Sequence, residues 1–247
     1  SFGSWTAALQ EPYADNADTV GYLYFDDREL ETLVTEAWGA GLQTAFHAIG
    51  DRAVHQIIRV YAAAARNLGR FGVRPRVEHG ELIADRDLEE MARAGVVLSA
   101  QPAFEARWGG PAGLYARRLG ERWRRTNRFR TALDNGVRLA FGSDSPITPI
   151  SPIEGIAAAV NHPNHEERLT WEEALTAFTT DAAYACGAER DYGDLRPGQW
   201  ASFTVLDKDP CLLAPEDVGA LAVRATIIRG QIVYRDENLS YRLAADS

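Results

Sequence analysis

Three polar residues in this sequence, His47, His79 and Asp144, each follow a short apolar run. Imidazole and carboxylate groups are both common zinc ligands, and a catalytic zinc site keeps one position open for water. If the three runs are strands of one parallel sheet, the residues lie at the same end, where α/β barrels hold their active sites. The pattern predicts a divalent metal site. It leaves open the alternative that each residue is a structural group held by hydrogen bonds.

The surrounding segments alternate between apolar runs of strand length and stretches of helical periodicity. Strands separated by helices predict a parallel sheet with helical crossovers, and therefore an α/β fold. The predicted strands cover residues 42–46, 76–78, 96–99 and 137–141. The predicted helices cover residues 27–38, 53–68, 85–94 and 127–134, with two more beginning near 151 and running from 170 to 184.

Several helix starts carry capping signals. Ser151 with Glu154, and Thr170 with Glu173, have the spacing of a capping box, in which two side chains satisfy free backbone N–H groups reciprocally. The helix near 27 is expected to start at an aspartate cap. Asp51 is expected to cap the helix after His47 rather than to take part in catalysis.

The pattern of apolar and polar residues changes near residue 190. Short apolar runs separated by turn signals follow, at about 202–206, 225–228 and 231–234. We expect residues 1–190 to form one domain, and residues 191–247 to belong to a smaller β domain.

Composition excludes several classes of protein. The 247 residues are 46% hydrophobic and 25% charged, which is an ordinary globular balance. The net charge of −9 argues against nucleic-acid binding, and no apolar run approaches the ~20 residues that a membrane helix needs. The two cysteines, Cys186 and Cys211, are expected to be reduced and partly buried, which suits a cytoplasmic protein. No signal-peptide pattern opens the chain.

Other residues are candidates for the pocket. Gln101, Ser143 and Trp108 are expected to contact substrate, and residues 103–125 are expected either to shape specificity or to form a solvated helix with a packed aromatic side. His55 is expected at the surface or an interface. The remaining histidines, His162 and His165, are expected to be solvated loop residues.

Several motifs resemble those of one known family. The motifs are HAIGDRA at 47–53, VEHG at 77–80 and FGSDSP at 141–146, supported by 1–14 and by 191–207. In order and spacing they resemble the second half of a metal-dependent hydrolase of the amidohydrolase superfamily, in the branch that contains the N-substituted formamide deformylases. The resemblance spans nearly the whole chain.

The resemblance implies a fold and a chemistry. The fold would be the C-terminal half of a TIM-like (β/α)8 barrel, followed by part of a small β-sandwich. His47 and His79 would bind one or two divalent metal ions, most simply zinc, while Asp144 would bind metal and act as general base. Zinc lowers the pKa of bound water to about 7 and can polarise a carbonyl. The implied reaction is hydrolysis of a non-peptide C–N bond in a small amide, formamide or cyclic amide.

The sequence also departs from that family. It lacks the His-x-His pair expected after the first barrel strand and the lysine or glutamate expected after the fourth. It begins with Ser1 and has one methionine, Met91, so we expect a fragment that lacks the N-terminal metal ligands. A second hypothesis is a non-catalytic half-barrel that assembles with itself or with a partner chain, because open sheet edges promote association. An N-terminal nucleophile role for Ser1 is a third and poorer alternative.

Overall fold

The structure is a computed structural model that describes residues 1–68 and 73–237. Its main layer is a four-stranded parallel sheet in which each strand pairs with the next along the chain. This confirms the predicted α/β class with a parallel sheet. The strands are β1 (Ala45–Ile49), β2 (Arg76–Glu81), β3 (Val97–Ala100) and β4 (Arg138–Phe141).

Helices connect these strands and bury the sheet. The long amphipathic helix α2 packs Val54, Ile58 and Tyr61 into a core shared with the sheet residues Val77 and Leu98. The helices are α1 (Asp27–Gly39), α2 (Asp51–Leu68), α3 (Asp85–Ala94), α4 (Ala103–Trp108), α5 (Leu114–Leu119), α6 (Phe129–Asp134), α7 (Pro152–Val160), α8 (Trp171–Phe178) and α9 (Thr180–Ala185). Short 3-10 turns lie at Gly120–Arg125, His165–Glu167, Pro210–Leu212 and Pro215–Ala220.

The first strand begins three residues later than predicted. Leu42 is 61% exposed, and the side-chain amide of Gln43 donates to the carbonyls of Arg74 and Ala185, each at 2.7 Å. These contacts tie residues 42–44 to the approach to the sheet. As a result His47 lies within β1, instead of directly after it.

The capping predictions have mixed outcomes. Thr170 and Glu173 form the predicted capping box of α8. The box at Ser151 is wrong in one half, because the Glu154 carboxylate pairs with Arg107 at 2.7 Å and leaves only the Ser151 hydroxyl as a cap. The Asp51 prediction is also wrong: Asp51 is the first residue of α2, and its carboxylate accepts the Gln10 N–H at 2.9 Å.

The helix predicted over 170–184 is two helices in the structure. The backbone breaks at Thr179, whose φ of −119° and ψ of −88° lie outside the helical region. After the break, the Thr180 hydroxyl donates to the Gly193 carbonyl at 2.9 Å, which ties α9 to the chain that follows it.

A three-stranded antiparallel sheet follows, formed by β5 (Phe203–Leu206), β6 (Val223–Ile228) and β7 (Gln231–Arg235). A two-residue turn at Arg229 and Gly230, both with positive φ, joins β6 to β7 as tight hairpins require. The proposed domain boundary at residue 190 stays a prediction. The last part of the proposed β domain, residues 238–247, lies outside the described residues.

The first 15 residues contain no helix or strand and pack on the segment 103–125. Phe2, Leu9 and Tyr13 share a second apolar cluster with Tyr115 and Trp123. The arginines of the segment help to hold this contact, since guanidinium groups at 118 and 122 donate to backbone carbonyls of residues 2, 3, 11 and 12. The aromatic residues of the segment therefore serve mainly as core.

Two other expectations meet the structure here. Both cysteines are exposed, so the expectation of partial burial is wrong: Cys186 follows the last turn of α9, and Cys211 lies in a surface 3-10 turn. Among the described residues, no helix combines the length and apolar character needed to cross a bilayer.

Candidate functional site

Two of the three predicted ligands meet at the carboxyl end of the parallel sheet. His47 of β1 and His79 of β2 have ring centroids 4.5 Å apart, inclined at 71°. The parallel register brings them together, because His47 pairs with Glu78 and Ala48 pairs with His79. The register then shifts between Ala48 and Ile49, which distorts the sheet beside the two rings.

His79 is buried and tightly oriented. Its Nδ1 lies 2.7 Å from Oε1 of Gln101, an acceptor, so Nδ1 carries the proton and the lone pair of Nε2 remains available. The ring of Phe104 stacks on the other side, at 5.8 Å between centroids and 17° between planes. Metal-binding histidines usually have such a partner, which accepts a hydrogen bond from the second ring nitrogen and so fixes the tautomer.

The third predicted ligand, Asp144, follows β4 in an exposed turn. Its φ of 54° is in the left-handed region, as is the φ of 68° at His79. Residues other than glycine are uncommon there, and such conformations cluster at functional sites. The sequence alone gave no sign of this strain.

The surroundings lower the pKa of both imidazoles. Partial loss of solvation, reinforced by the neighbouring His79, lowers the pKa of His47 to about 4, although Asp144 acts in the opposite direction. Burial likewise lowers the pKa of His79, opposed by the hydrogen bond that its ring donates to Gln101 and by the charge of Asp144. Both imidazoles are therefore neutral near pH 7, the form that binds metal.

The donors suit a divalent ion in type, but they do not enclose one. Within residues 1–68 and 73–237, no three histidine, cysteine or acidic side chains are grouped closely enough to hold one metal ion. The structure thus brings His47 and His79 together, and brings Asp144 within electrostatic range of both. These residues could supply part of a coordination sphere.

The predicted substrate contacts occupy different positions. Gln101 is buried against His79, and is therefore placed to orient a ligand rather than to meet substrate directly. Trp108 is half-buried and packs edge-on against Phe104 at 4.7 Å. Ser143 is half-buried beside Asp144, and its carbonyl accepts a hydrogen bond from the Thr148 hydroxyl.

The remaining histidines divide between surface and core. His165 is exposed, as predicted. His55 is partly exposed on α2, where its Nδ1 contacts the buried carboxylate of Asp87 at 2.8 Å. The expectation for His162 is wrong: it is 1% exposed and packs edge-on against Phe129. The proline and asparagine residues around it suggested a loop, and they could not show that the loop folds inward.

A buried polar cluster next to the site was missed. Burial raises the pKa of Glu81 to about 8 and that of Glu105 to about 7. Glu105 Oε1 accepts hydrogen bonds from the Thr126 hydroxyl at 2.7 Å and from Asn127 Nδ2 at 2.8 Å. The one available signal was a glutamate next to Phe104 in an otherwise apolar stretch.

Comparison with known proteins gives these residues a context. Residues 1–234 match the protein family described as "Amidohydrolase family". The chain is 33% identical over 245 residues to the putative amidohydrolase YtcJ of Bacillus subtilis, covering 95% of this chain and 45% of that protein. It is 29% identical to the N-substituted formamide deformylase of Arthrobacter pascens, covering 87% of this chain and 41% of that protein.

Solved structures agree with the sequence comparison. A metal-dependent hydrolase of unassigned activity from Pyrococcus horikoshii matches with a TM-score of 0.76 and 32% identity, over 87% of this chain and 44% of that one. Its counterpart from Pyrococcus furiosus matches with a TM-score of 0.71 and 36% identity, over 81% of this chain and 40% of that one. The chain thus spans less than half the length of each of these relatives.

Proposed function

Because the chain belongs to the amidohydrolase family, we propose that it is the C-terminal part of a metal-dependent hydrolase that cleaves a non-peptide C–N bond. In this proposal the four-stranded sheet is half of a (β/α)8 barrel, and the antiparallel sheet is part of a β-sandwich. The observation that supports this proposal most strongly is the close pair of imidazoles towards the carboxyl end of adjacent parallel strands. The share of each relative that the chain covers supports the fragment.

The residues have distinct roles in this proposal. His47, His79 and Asp144 would hold a divalent metal ion, most simply zinc, which when bound supplies activated water and polarises a carbonyl. Gln101 keeps the proton of His79 on Nδ1 and so presents the lone pair of Nε2. Asp144 is the general base, since its carboxylate is exposed, lies within electrostatic range of both imidazoles, and can accept a proton from water and pass it to the leaving nitrogen.

The experiment is hydrolysis by the natural polypeptide that contains these residues, with N-substituted formamides, linear amides and cyclic amides as substrates. Chelation should abolish activity, and zinc should restore it. Asp144→Asn should lower kcat by about 100-fold or more, as loss of a general base does. Asp209→Asn is the matched control, because Asp209 caps a distant turn. The proposal fails if the zinc-supplied protein cleaves none of these substrates, or if both variants are equally active.

A second candidate is a non-catalytic half-barrel that assembles with itself or with a partner chain. It is favoured by the described sheet order, in which β1 pairs only with β2 and β4 pairs only with β3. Open edges of this kind associate unless they are covered. Light scattering on the 247-residue chain should then show an oligomer, whereas a stable folded monomer would contradict this candidate. A His-x-His segment encoded upstream would favour the enzyme.

A further inference from the structure

The turn that leads into α4, residues 101–104, contacts His79 in two places. Gln101, just before the helix, lies 2.7 Å from Nδ1, and Phe104 stacks on the face of the ring. The Phe104 N–H donates to the Gln101 carbonyl at 3.0 Å, so the two contacting residues belong to one short piece of backbone. The position of this turn therefore sets both the orientation of the His79 ring and the site of its proton.

Glu105 anchors the same turn from the interior. Its side chain is fully buried, and its Oε1 accepts hydrogen bonds from Thr126 and Asn127. Gly109 makes room for this carboxylate, because a Cβ at Gly109 would lie 1.9 Å from Glu105 Oε2. Asn127 holds a positive φ of 46° beside the carboxylate it contacts. A buried glutamate without a cationic partner is costly, so an apolar residue would serve better if packing were its only role.

The second oxygen of Glu105 faces His162. Glu105 Oε2 and His162 Nε2 are 4.0 Å apart, and within the described residues neither has a hydrogen bond of ordinary length. On the other side of the ring, His162 Nδ1 lies 3.1 Å from both the N–H and the carbonyl oxygen of Asn164. Two buried polar atoms therefore lie next to each other with no other hydrogen-bond partner among the described residues.

We propose that Glu105 is a positioning residue, which with His162, Thr126 and Asn127 fixes the turn that leads into α4 and thereby the orientation and tautomer of His79. This inference rests on the proposed function for its catalytic meaning, because His79 is a metal ligand only in that proposal. Its structural content can be tested without any activity.

The test uses 15N-histidine spectra of the 247-residue chain, with the His79 signals assigned by their loss in His79→Gln. The parent chain should show one His79 tautomer, protonated at Nδ1. Glu105→Gln replaces one carboxylate oxygen by an NH2 group, so the side chain can no longer offer an acceptor oxygen both to Thr126 and Asn127 and to His162. The turn should then shift, and His79 should show a second tautomer or a clear displacement of both nitrogen signals.

Glu167→Gln is the matched control. Glu167 is also buried, at 4% exposure, and its carboxylate accepts the Thr131 N–H at 2.9 Å, but none of its contacts involves α4. It should leave the His79 signals at their parent positions. The inference is overturned if Glu105→Gln changes the His79 signals no more than Glu167→Gln does.

A milder variant covers the case in which Glu105→Gln does not fold. Thr126→Val removes one hydrogen bond to Glu105 and should move the His79 signals in the same direction by a smaller amount. Unchanged His79 signals in a folded Thr126→Val would also overturn the inference. Absence of hydrolysis in the natural polypeptide would contradict the proposed function, while these spectra would still decide the role of Glu105.

Discussion

The two ends of the parallel sheet arrange their polar side chains in opposite ways. At the amino end, Arg74 pairs with Glu189 at 2.5 Å, and the guanidinium groups of Arg74 and Arg138 each lie 4.0 Å from the ring centre of Tyr184. At the carboxyl end, two neutral imidazoles face each other beside strained backbone. One end has its charges paired, and the other keeps ligand atoms available.

This difference teaches where stability and function lie. Paired charges and stacked cations hold the sheet to α9 at the amino end. At the carboxyl end, ligand atoms without a bonding partner and residues with left-handed φ values lower the stability of the fold, as they generally do at functional sites. The comparison predicts that substitutions at one end change unfolding, whereas substitutions at the other end change metal-dependent chemistry.

The largest effect is expected at His79. In the natural polypeptide, His79→Ala should lower metal-dependent hydrolysis by more than about 100-fold, since loss of a ligand exceeds the effect of losing its hydrogen-bond partner. The urea concentration at the midpoint of unfolding should stay close to that of the parent protein, although the activity falls by this factor. Steady-state kinetics at saturating zinc would check this, and full activity in His79→Ala would break the comparison.

Tyr184→Ala should have the next largest effect, on stability. The substitution removes two cation–π contacts and packing against Val97 and Ala140, and should lower the free energy of unfolding by about 2–3 kcal/mol. Urea unfolding of the 247-residue chain is the measurement. Tyr184→Phe keeps the ring and should remain close to the parent. Equal stability of the alanine and phenylalanine variants would show that the ring does not stabilise this end.

Gln101→Leu should weaken metal binding in the natural polypeptide by about 10–100-fold, because His79 loses the acceptor that fixes its proton. Gln101→Glu retains an acceptor oxygen and should bind metal more tightly than Gln101→Leu. Competition with a chromogenic chelator would measure both affinities. Equal metal affinities in Gln101→Leu and Gln101→Glu would show that the acceptor oxygen of Gln101 does not influence metal binding.

The smallest effect is a pH dependence at the amino end. The Arg74 guanidinium lowers the pKa of Glu189 from 4.5 to about 2. The native state therefore favours the ionised carboxylate, and this stabilisation is complete above pH 4.5 and is lost as the pH falls towards 2. Between these values, Glu189→Gln should lose less stability than the parent chain. If the free energies of unfolding of the two proteins changed equally across this pH range, the pairing of Glu189 with Arg74 would be contradicted.

Much of the fold follows from the sequence, and particular residues show why. Gly95, with a φ of 70°, ends α3 where the glycine predicted it, and Thr170 begins α8 by a local capping rule. Such signals depend only on near neighbours. The parallel sheet follows because apolar runs alternate with amphipathic helices.

The sequence indicates which residues belong to the site, but it does not indicate what surrounds them. His47 and His79 stand out by their positions after apolar runs, but the burial of His162 and Glu105 depends on segments far apart in the chain. The stacking of Phe104 on His79 likewise joins β2 to α4 through the tertiary fold. The left-handed backbone at Asp144 is not a periodic feature, so hydrophobic periodicity could not predict it.

The most direct test of the central claim is the metal content of the natural polypeptide. Inductively coupled plasma mass spectrometry should find a bound divalent metal in the parent protein and in Tyr184→Phe. It should find much less in the folded double variant His47→Ala/His79→Ala. If the double variant retains the metal content of the parent, the imidazole pair at the carboxyl end of the sheet is not the metal site.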